Sequence, residues 1–178
     1  MEYLLTMSFK LSPEYALLGI LMTRPKHGYE VHNEFSSKMS QFWHLNMSQT
    51  YALLKRMEKD GMVVSRELRQ ENRPAKKIFS VTREGKQRFQ NWIYSPVKHV
   101  RDLRIELMAK LFFIKELNLK GGLDLIDKQI EVLQERFGEI KGSKEKITDE
   151  FQTLLYSFKM AQSTSALEWL KECRAYFS

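Results

Sequence analysis

The chain of 178 residues contains little of what several classes of protein require. Cys173 is its only cysteine, so no disulfide can form within the chain, and a reducing compartment is the expected setting. The longest apolar run, Ala16 to Met22, is far shorter than the roughly 20 residues that a membrane span needs. Glu2 stands where a signal peptide has positive charge, and no small-residue cleavage site follows. We therefore expect a cytoplasmic protein that is not a membrane protein.

The sequence also lacks the motifs of common catalytic and metal sites. Gly121-Gly122 has none of the further residues of a phosphate-binding loop. The four histidines, at positions 27, 32, 44 and 99, do not have metal-ligand spacing, and one cysteine cannot help to build a zinc site. No arrangement of Ser, His and Asp typical of nucleophilic catalysis is visible. We expect no enzyme activity, no metal and no cofactor.

Positive charge is concentrated in the first half of the chain. The net charge is +7, and residues 1–95 contain 15 Lys and Arg against 9 Asp and Glu, whereas residues 96–178 contain 14 against 13. An excess of positive charge in one half of the chain favours a polyanionic partner, either nucleic acid or an anionic membrane surface.

The spacing of apolar residues in the first half predicts three short helices, a hairpin and a fourth helix. Ser12-Pro13 is a helix entry, His27-Gly28 leads into a second helix, and Phe42-Trp43 is a hydrophobic anchor before the third. The third helix runs from about Met47 to Asp60, with Ser48 as its cap and Gly61 as its stop. The remaining elements are strands at Met62 to Leu68 and Lys77 to Thr82, then a helix to about Tyr94.

This order is the winged helix-turn-helix arrangement. The predicted fold is therefore mainly α with a small β-hairpin wing, followed by an α-helical, coiled-coil-like dimerisation domain. The predicted domains are residues 1–95 and residues 96–178. Translation from Met7 would remove residues 1–6, and the sequence leaves the choice between Met1 and Met7 open.

Residues beyond 96 predict long helices with a heptad seam. One helix spans about Val100 to Leu117, another begins after Gly121-Gly122 and breaks near residue 142, and a last one runs from about Asp149 to Tyr176. A seam this regular packs against its own chain or against a second subunit, and we expect both. The predicted dimerisation residues are Leu123, Ile126, Ile130, Leu133, Phe137, Ile140, Phe151, Leu154 and Phe158.

An ordered set of short motifs resembles the PadR family of bacterial transcriptional regulators. The set covers about residues 12–94 and consists of Tyr15-Ala16-Leu17-Leu18-Gly19-Ile20-Leu21, Pro25-Lys26-His27-Gly28-Tyr29-Glu30, Gln41-Phe42-Trp43, Ser48-Gln49-Thr50-Tyr51, and Lys77-Ile78-Phe79-Ser80-Val81-Thr82. The second half is similar to the family's helical dimerisation domain, mainly in its helix lengths. The resemblance implies a dimeric repressor that leaves its operator when a small molecule binds. Some family members sense phenolic acids and others bind hydrophobic drugs.

A helix-turn-helix protein reads bases with the N-terminal part of its recognition helix, which here is the third helix. Gln49 is the best candidate, because its amide can pair with adenine through two hydrogen bonds. Ser48 is a helix cap, a DNA contact or both, and Tyr51 packs in the core or binds a phosphate. The predicted contacts of this helix are Asn46, Ser48, Gln49, Thr50, Tyr51 and Lys55.

Further contacts are expected from the wing and from helix starts. The wing residues Arg69, Arg73, Lys76 and Lys77 are predicted to bind phosphates or the minor groove, which gives affinity rather than sequence information. Ser12 and Tyr29, at the starts of the first two helices, are predicted to meet the backbone. A homodimer of this kind binds double-stranded DNA at an inverted repeat with half-sites about 34–36 Å apart, or a multiple of that.

A small aromatic or hydrophobic effector is expected to bind among Trp92, Phe112 and Trp169, although such residues usually belong to a core. The main alternative is a winged helix that binds only proteins and has no specific DNA site. A role at a membrane surface is less favoured, because no helix combines a broad apolar face with a Lys/Arg-rich polar face.

Overall fold

Pro13 begins the first described helix, at a position where its missing N–H would have no intrahelical partner. The computed structural model describes residues 13–70, 73–143, 147 and 149–177, and it describes the backbone but not the side chains of residues 69–70 and 73–76. Its elements are, in chain order, α1 (Pro13–Leu21), β1 (Lys26–His27), α2 (Gly28–Met39), α3 (Met47–Lys59), β2 (Val63–Gln70), β3 (Arg73–Val81), α4 (Arg83–Ile93), α5 (Val100–Asp102), a π-helical turn (Leu103–Leu107), α6 (Met108–Glu116), α7 (Gly122–Gly142) and α8 (Glu150–Arg174).

Two compact units divide between Ile93 and Tyr94, close to the predicted boundary at 95/96. In the first unit, α1, α2 and α3 pack around a core of fully buried side chains. Trp43 is buried and meets Phe35 edge to face, with ring centroids 5.9 Å apart, as expected of the hydrophobic anchor. The core includes Leu17, Leu18, Phe35, Met39, Leu54 and Met57.

The wing is a three-stranded antiparallel sheet with strand order β1-β3-β2. The hairpin of β2 and β3 confirms the predicted wing, but both strands are longer than the sequence indicated. The additional strand β1 pairs with β3 through Lys26–Phe79 and His27–Ile78. The sequence could not predict β1, because a two-residue strand has no alternation to recognise.

A buried lysine ties β1 to the helices. Only 2% of Lys26 is exposed, and its Nζ donates to the Ile20 carbonyl at 3.0 Å and to Thr23 Oγ1. The Glu34 carboxylate lies 3.3 Å from that ammonium group and 2.8 Å from the Lys38 ammonium group. Burial alone would raise the pKa of Glu34, but the two ammonium groups outweigh it and hold the pKa below its ordinary value of 4.5.

We expect Glu34→Gln to lower the free energy of unfolding by about 2 kcal/mol, because the buried Lys26 charge loses its counter-ion while the side-chain shape is kept. Since the folded-state pKa is depressed, the carboxylate stabilises the fold above pH 4.5, and this contribution disappears as the pH falls further. Urea denaturation at pH 7 and pH 4 measures both effects. Glu84→Gln is the control, because the Glu84–Arg88 pair is exposed and its loss should leave the free energy of unfolding almost unchanged.

The junction between the wing and α4 is held by one threonine and one glycine. Thr82 Oγ1 lies 2.6 Å from the Gly61 carbonyl oxygen and accepts a hydrogen bond from the Gly85 N–H at 3.0 Å. The Thr82 N–H donates to the Met62 carbonyl at 3.1 Å. Gly85 lies directly against that carbonyl, since a Cβ built on it would be 2.0 Å from the oxygen.

In the second unit, residues 100–116 are helical, as predicted, but the run contains the π-helical turn at Leu103–Leu107. Lys110, in the next turn, is only 1% exposed. Its Nζ donates to the Ser95 carbonyl at 2.7 Å and lies 2.8 Å from Glu106. Burial lowers the pKa of Lys110, and Glu106 opposes that shift.

Helices α7 and α8 form an antiparallel pair. Arg174, at the end of α8, forms an ion pair of 2.9 Å with Asp127, near the start of α7. Ile126 and Leu133 are buried within the chain, so the prediction that they contact a second subunit is wrong. They are buried in the single chain, in which α7 packs on α8.

Gln129 links α7 to the start of the second unit. It is fully buried, and its side-chain amide accepts from the Val97 N–H at 2.7 Å and donates to the Val97 carbonyl at 2.9 Å.

Among the described residues, no helix has both the length and the hydropathy of a bilayer-spanning segment.

Candidate nucleic-acid interface

The N-terminus of α3 is closed by a reciprocal capping box. Asn46 Oδ1 accepts from the Gln49 N–H at 2.8 Å, and Gln49 Oε1 accepts from the Asn46 N–H at 2.9 Å. The cap is therefore Asn46, not Ser48, which lies within the first turn and is exposed. The spacing Asn46-x-x-Gln49 was the signal in the sequence that could have identified this cap.

Thr50 is directed into the protein. It is fully buried, and its hydroxyl donates to the Asn46 carbonyl at 3.1 Å. His32 Nδ1 lies 3.1 Å from Thr50 Oγ1. The prediction that Thr50 contacts DNA is wrong, because an inward-facing side chain cannot reach a groove. His32 on α2 supports α3 instead, and sequence reasoning missed it because a contact across 18 positions leaves no local pattern.

The outward face of α3 is polar and basic. Asn46, Ser48, Gln49 and Lys55 are all exposed, as their predicted roles require. Arg56, one position further along, is paired with Glu14 of α1, and this ion pair ties the back of the helix to the rest of the unit. The helix thus presents its first turn and Lys55 outward while its other face is anchored.

A groove of about 760 Å³ separates this helix from the wing. Tyr51 is 46% exposed, and its ring covers Gly28, where a Cβ would lie 2.6 Å from Tyr51 Cε1. Gly28 is therefore required for the position of Tyr51, a role the sequence did not indicate. Tyr29, at the start of α2, is 59% exposed. The described lining residues are His27, Gly28, Tyr29, Glu30, Tyr51, Glu67, Lys77 and Phe79.

The two acids of the groove have basic or hydrogen-bonding neighbours. The His27 N–H, 2.8 Å from Glu30 Oε2, lowers the pKa of Glu30, and Arg24 at 3.1 Å lowers it further, against the effect of burial. Glu67 stands opposite the exposed Lys77 in the register of β2 and β3. The groove can therefore accept an anionic backbone at its Tyr and Lys groups.

The other predicted contacts are placed as follows. Ser12 lies outside the described residues, as do the side chains of Arg69, Arg73 and Lys76. Trp92 belongs to the first unit, where it stacks on Tyr15 with ring centroids 5.4 Å apart. The remaining two effector-pocket residues, Phe112 and Trp169, belong to the second unit and are half-buried.

Phe112 packs edge to face on Phe113, at 5.1 Å between ring centroids. None of the three aromatic residues is among the described residues that line the groove between α3 and the wing. No cluster of three His, Cys, Asp or Glu side chains able to hold a metal occurs in the described part of the chain.

An outward-facing helix beside a β-wing, within a unit built on three packed helices, defines a winged helix-turn-helix domain. Residues 17–91 match the model of the transcriptional regulator PadR-like family, and residues 103–178 match the model named virulence activator alpha C-term. The first unit of the chain therefore carries a PadR-like transcriptional-regulator domain over residues 17–91.

Two relatives of the chain are also named as transcriptional regulators. The negative transcriptional regulator PadR of Bacillus subtilis (strain 168) is 28% identical over 144 residues, which cover 81% of this chain and 79% of the relative. The probable transcriptional regulator Rv1176c of Mycobacterium tuberculosis (strain ATCC 25618 / H37Rv) is 29% identical over 87 residues, or 49% of this chain and 46% of that protein.

Two solved structures of Bacillus subtilis PadR are also similar. The complex with operator DNA has a TM-score of 0.49 at 24% identity and covers 92% of this chain and 98% of PadR. The complex with p-coumaric acid has a TM-score of 0.44 at 24% identity and covers 93% and 98%.

Proposed function

We propose that this regulator binds double-stranded DNA in the cytoplasm as a homodimer, at an inverted-repeat operator, and that it represses transcription until a small-molecule effector releases it. The observation that carries DNA binding is the exposed first turn of α3, with Ser48 and Gln49 facing outward beside the wing. Gln49 would read a base, while Tyr29, Tyr51 and Lys77 around the groove would contact phosphates.

The capping box adds a condition to base reading by Gln49. Its Oε1 already accepts a hydrogen bond from the Asn46 N–H, whereas its amide NH₂ group has no hydrogen-bond partner among the described residues. A carbonyl oxygen has two lone pairs, so Gln49 can keep the cap and still form both hydrogen bonds to adenine. The side chain would thus be pre-positioned for reading by the bond that closes the helix.

A stripe of exposed apolar side chains on α8 supports the homodimer. Phe151, Leu154, Leu155 and Phe158 are 72%, 64%, 41% and 58% exposed and recur at helical spacing. Such a stripe is the expected form of an interface between helical subunits. Of the predicted dimerisation residues, Phe151, Leu154 and Phe158 are the exposed ones, while Leu123, Ile130, Phe137 and Ile140 are half-buried.

Repression and release are supported by the nature of the relatives. The Bacillus subtilis relative is a negative regulator, and that protein has been crystallised with operator DNA and with p-coumaric acid. The name of the C-terminal family model contains the word activator, so the sign of regulation has to be measured. A reporter gene behind the operator should be expressed more strongly when the regulator gene is deleted.

The direct test of DNA binding is fluorescence anisotropy with the duplex upstream of the protein's own gene. We expect preference over a scrambled duplex and a steep loss of affinity as salt rises, because phosphate contacts release counterions. Equal weak binding to both duplexes would contradict a specific site there. No binding even at low salt would favour the protein-interaction alternative.

Substitutions at Gln49 and Lys77 separate base reading from phosphate contact. Gln49→Ala and Gln49→Glu should both lose about tenfold in preference for the operator, although Glu keeps an acceptor for the Asn46 N–H. Lys77→Ala should weaken binding to both duplexes equally and reduce the salt slope by about one. The control is Lys86→Ala, an exposed lysine on α4, which should leave affinity unchanged. If only Gln49→Ala loses preference, Gln49 acts as a cap and not as a base reader.

A further inference from the structure

The imidazole ring of His27 lines the groove between α3 and the wing, and one of its two nitrogens is bound to the protein. Nδ1 lies 3.2 Å from the Lys77 carbonyl oxygen of β3. Because a carbonyl oxygen can only accept a hydrogen bond, Nδ1 carries a hydrogen and donates it. The hydrogen bond at one ring nitrogen fixes the state of the other. In the uncharged ring, Nε2 is therefore an acceptor without a hydrogen.

Nε2 itself is available to a ligand, since it has no hydrogen-bond partner among the described residues. The ring shares the groove with Tyr29, Tyr51 and Lys77, the side chains that the proposed function assigns to phosphates. An uncharged Nε2 would turn a lone pair toward a phosphate oxygen and repel it. A protonated ring would instead present an N–H donor and a positive charge, which together form a strong hydrogen bond to phosphate. The ring can therefore bind a phosphate in only one of its two charge states.

The surroundings of His27 leave this ring as the group whose charge changes near neutral pH. Its titratable neighbours along the groove are Tyr29, Glu30, Tyr51, Glu67 and Lys77. The His27 backbone N–H, at 2.8 Å, and Arg24, at 3.1 Å, hold the pKa of Glu30 below 4.5, so this carboxylate stays ionised between pH 6 and pH 8. Histidine is the side chain whose charge ordinarily changes in that range, and His27 is the one histidine among the described lining residues.

We propose that His27 is a phosphate contact that acts only when its ring is protonated, so that the protein binds DNA more tightly as the pH falls from 8 to 6. Nε2–H would donate to a phosphate oxygen, while Nδ1–H keeps its hydrogen bond to the Lys77 carbonyl. The ring takes the required proton from solvent when DNA binds. The inference rests on the proposed DNA binding, to which it adds a dependence on pH.

The geometry is tested first, on the full-length protein without DNA. ¹⁵N NMR of the imidazole nitrogens at pH 8 distinguishes a ring with Nδ1–H from one with Nε2–H, and the signal missing in His27→Gln identifies His27. We expect Nδ1–H, because that nitrogen faces the Lys77 carbonyl. A His27 ring with Nε2–H would overturn the proposal, since the uncharged ring would then already offer a donor to phosphate. This result does not depend on whether the protein binds DNA.

The pH dependence is measured by fluorescence anisotropy at pH 6 and pH 8, with the upstream duplex and with its scrambled form. We expect binding at least about fivefold tighter at pH 6 on both duplexes, because a phosphate contact is the same for any sequence. The slope of log affinity against log salt should also be steeper by about one at pH 6, where one more phosphate is neutralised.

Three variants assign the response to one ring. His27→Gln, which has no titrating group, should change by less than about twofold between the two pH values. His27→Lys carries its charge at both, and should bind at pH 8 about as tightly as the parent protein does at pH 6. The matched control is His44→Gln, an exposed histidine of the same unit outside the described lining of the groove, which should respond to pH as the parent protein does.

A parent protein whose affinity does not respond to pH would overturn the proposal. The same follows if His27→Gln keeps the full response, or if His44→Gln loses it while His27→Gln does not. In each of these cases the DNA binding itself stands. Absence of DNA binding at both pH values would overturn the proposed function and this contact together. Thermal unfolding of each variant at both pH values confirms that it is folded.

Discussion

Gly85→Ala should lower the free energy of unfolding by about 3 kcal/mol, because the added methyl group would overlap with backbone. The new Cβ would lie 2.0 Å from the Met62 carbonyl oxygen and 2.9 Å from Val81 Cγ1. The first of these neighbours is backbone and cannot move without separating α4 from the wing. Thr82 donates its N–H to the Met62 carbonyl and accepts from the Gly85 N–H. Both hydrogen bonds would be distorted at the same time.

The matched control is the same substitution at Gly138. This glycine is exposed in α7, and a Cβ there would have nothing within 4 Å. Because alanine favours helix over glycine, Gly138→Ala should raise stability by about 0.5–1 kcal/mol. Urea denaturation followed by circular dichroism measures both variants. A loss of less than about 1 kcal/mol for Gly85→Ala would mean that the contact between α4 and Met62 relaxes easily and that this description of the junction is wrong.

Leu154→Arg should convert a dimer into a monomer, with the dissociation constant raised by at least about a hundredfold. Leu154 is the centre of the exposed stripe of α8, between Phe151 and Phe158. In an interface between two such stripes an arginine would be buried without a counter-ion, which costs several kcal/mol. Sedimentation velocity over a concentration series measures the change. The stability of the α7–α8 pair should be little affected, because the side chain is exposed in the single chain.

Thr164→Arg is the control for this prediction. Thr164 is also exposed on α8, but it lies six positions from Phe158 and therefore on another face of the helix. We expect the Thr164→Arg protein to remain dimeric and to have the same affinity for DNA as the parent protein. If Leu154→Arg is as dimeric as the parent protein, the subunits meet elsewhere and the stripe has another partner.

Much of the fold follows from the sequence because its signals are local. Helix entry at Pro13, the stop after α3 near Gly61 and the break near residue 142 all depend on residues within one or two turns. Two β-like runs around a polar turn likewise predict the wing. The π-helical turn at Leu103–Leu107 was not predicted, because its residues have ordinary helix propensity and only the packing of the run distinguishes it.

The site was less predictable, because burial is decided by partners far away in the sequence. Thr50 and Gln49 are adjacent polar residues of α3, yet one faces His32 in the interior and the other faces outward. The partner of the heptad seam of α7 is equally hard to predict from the sequence. A regular apolar spacing does not say whether the partner helix belongs to the same chain, and Ile126 and Leu133 are already buried in the single chain, where α7 packs on α8.

The pairing of Gln129 with Val97 affects how the chain can be cut. Ser95-Pro96 has the composition of a linker, which proteases usually attack, but a protease must bind the backbone N–H and C=O groups of its substrate in an extended form. At Val97 both groups are already bound by one buried side chain. Limited proteolysis should therefore spare the bonds around Val97. A separately expressed helical half should begin before that residue, because otherwise Gln129 would be left buried with neither of its hydrogen bonds.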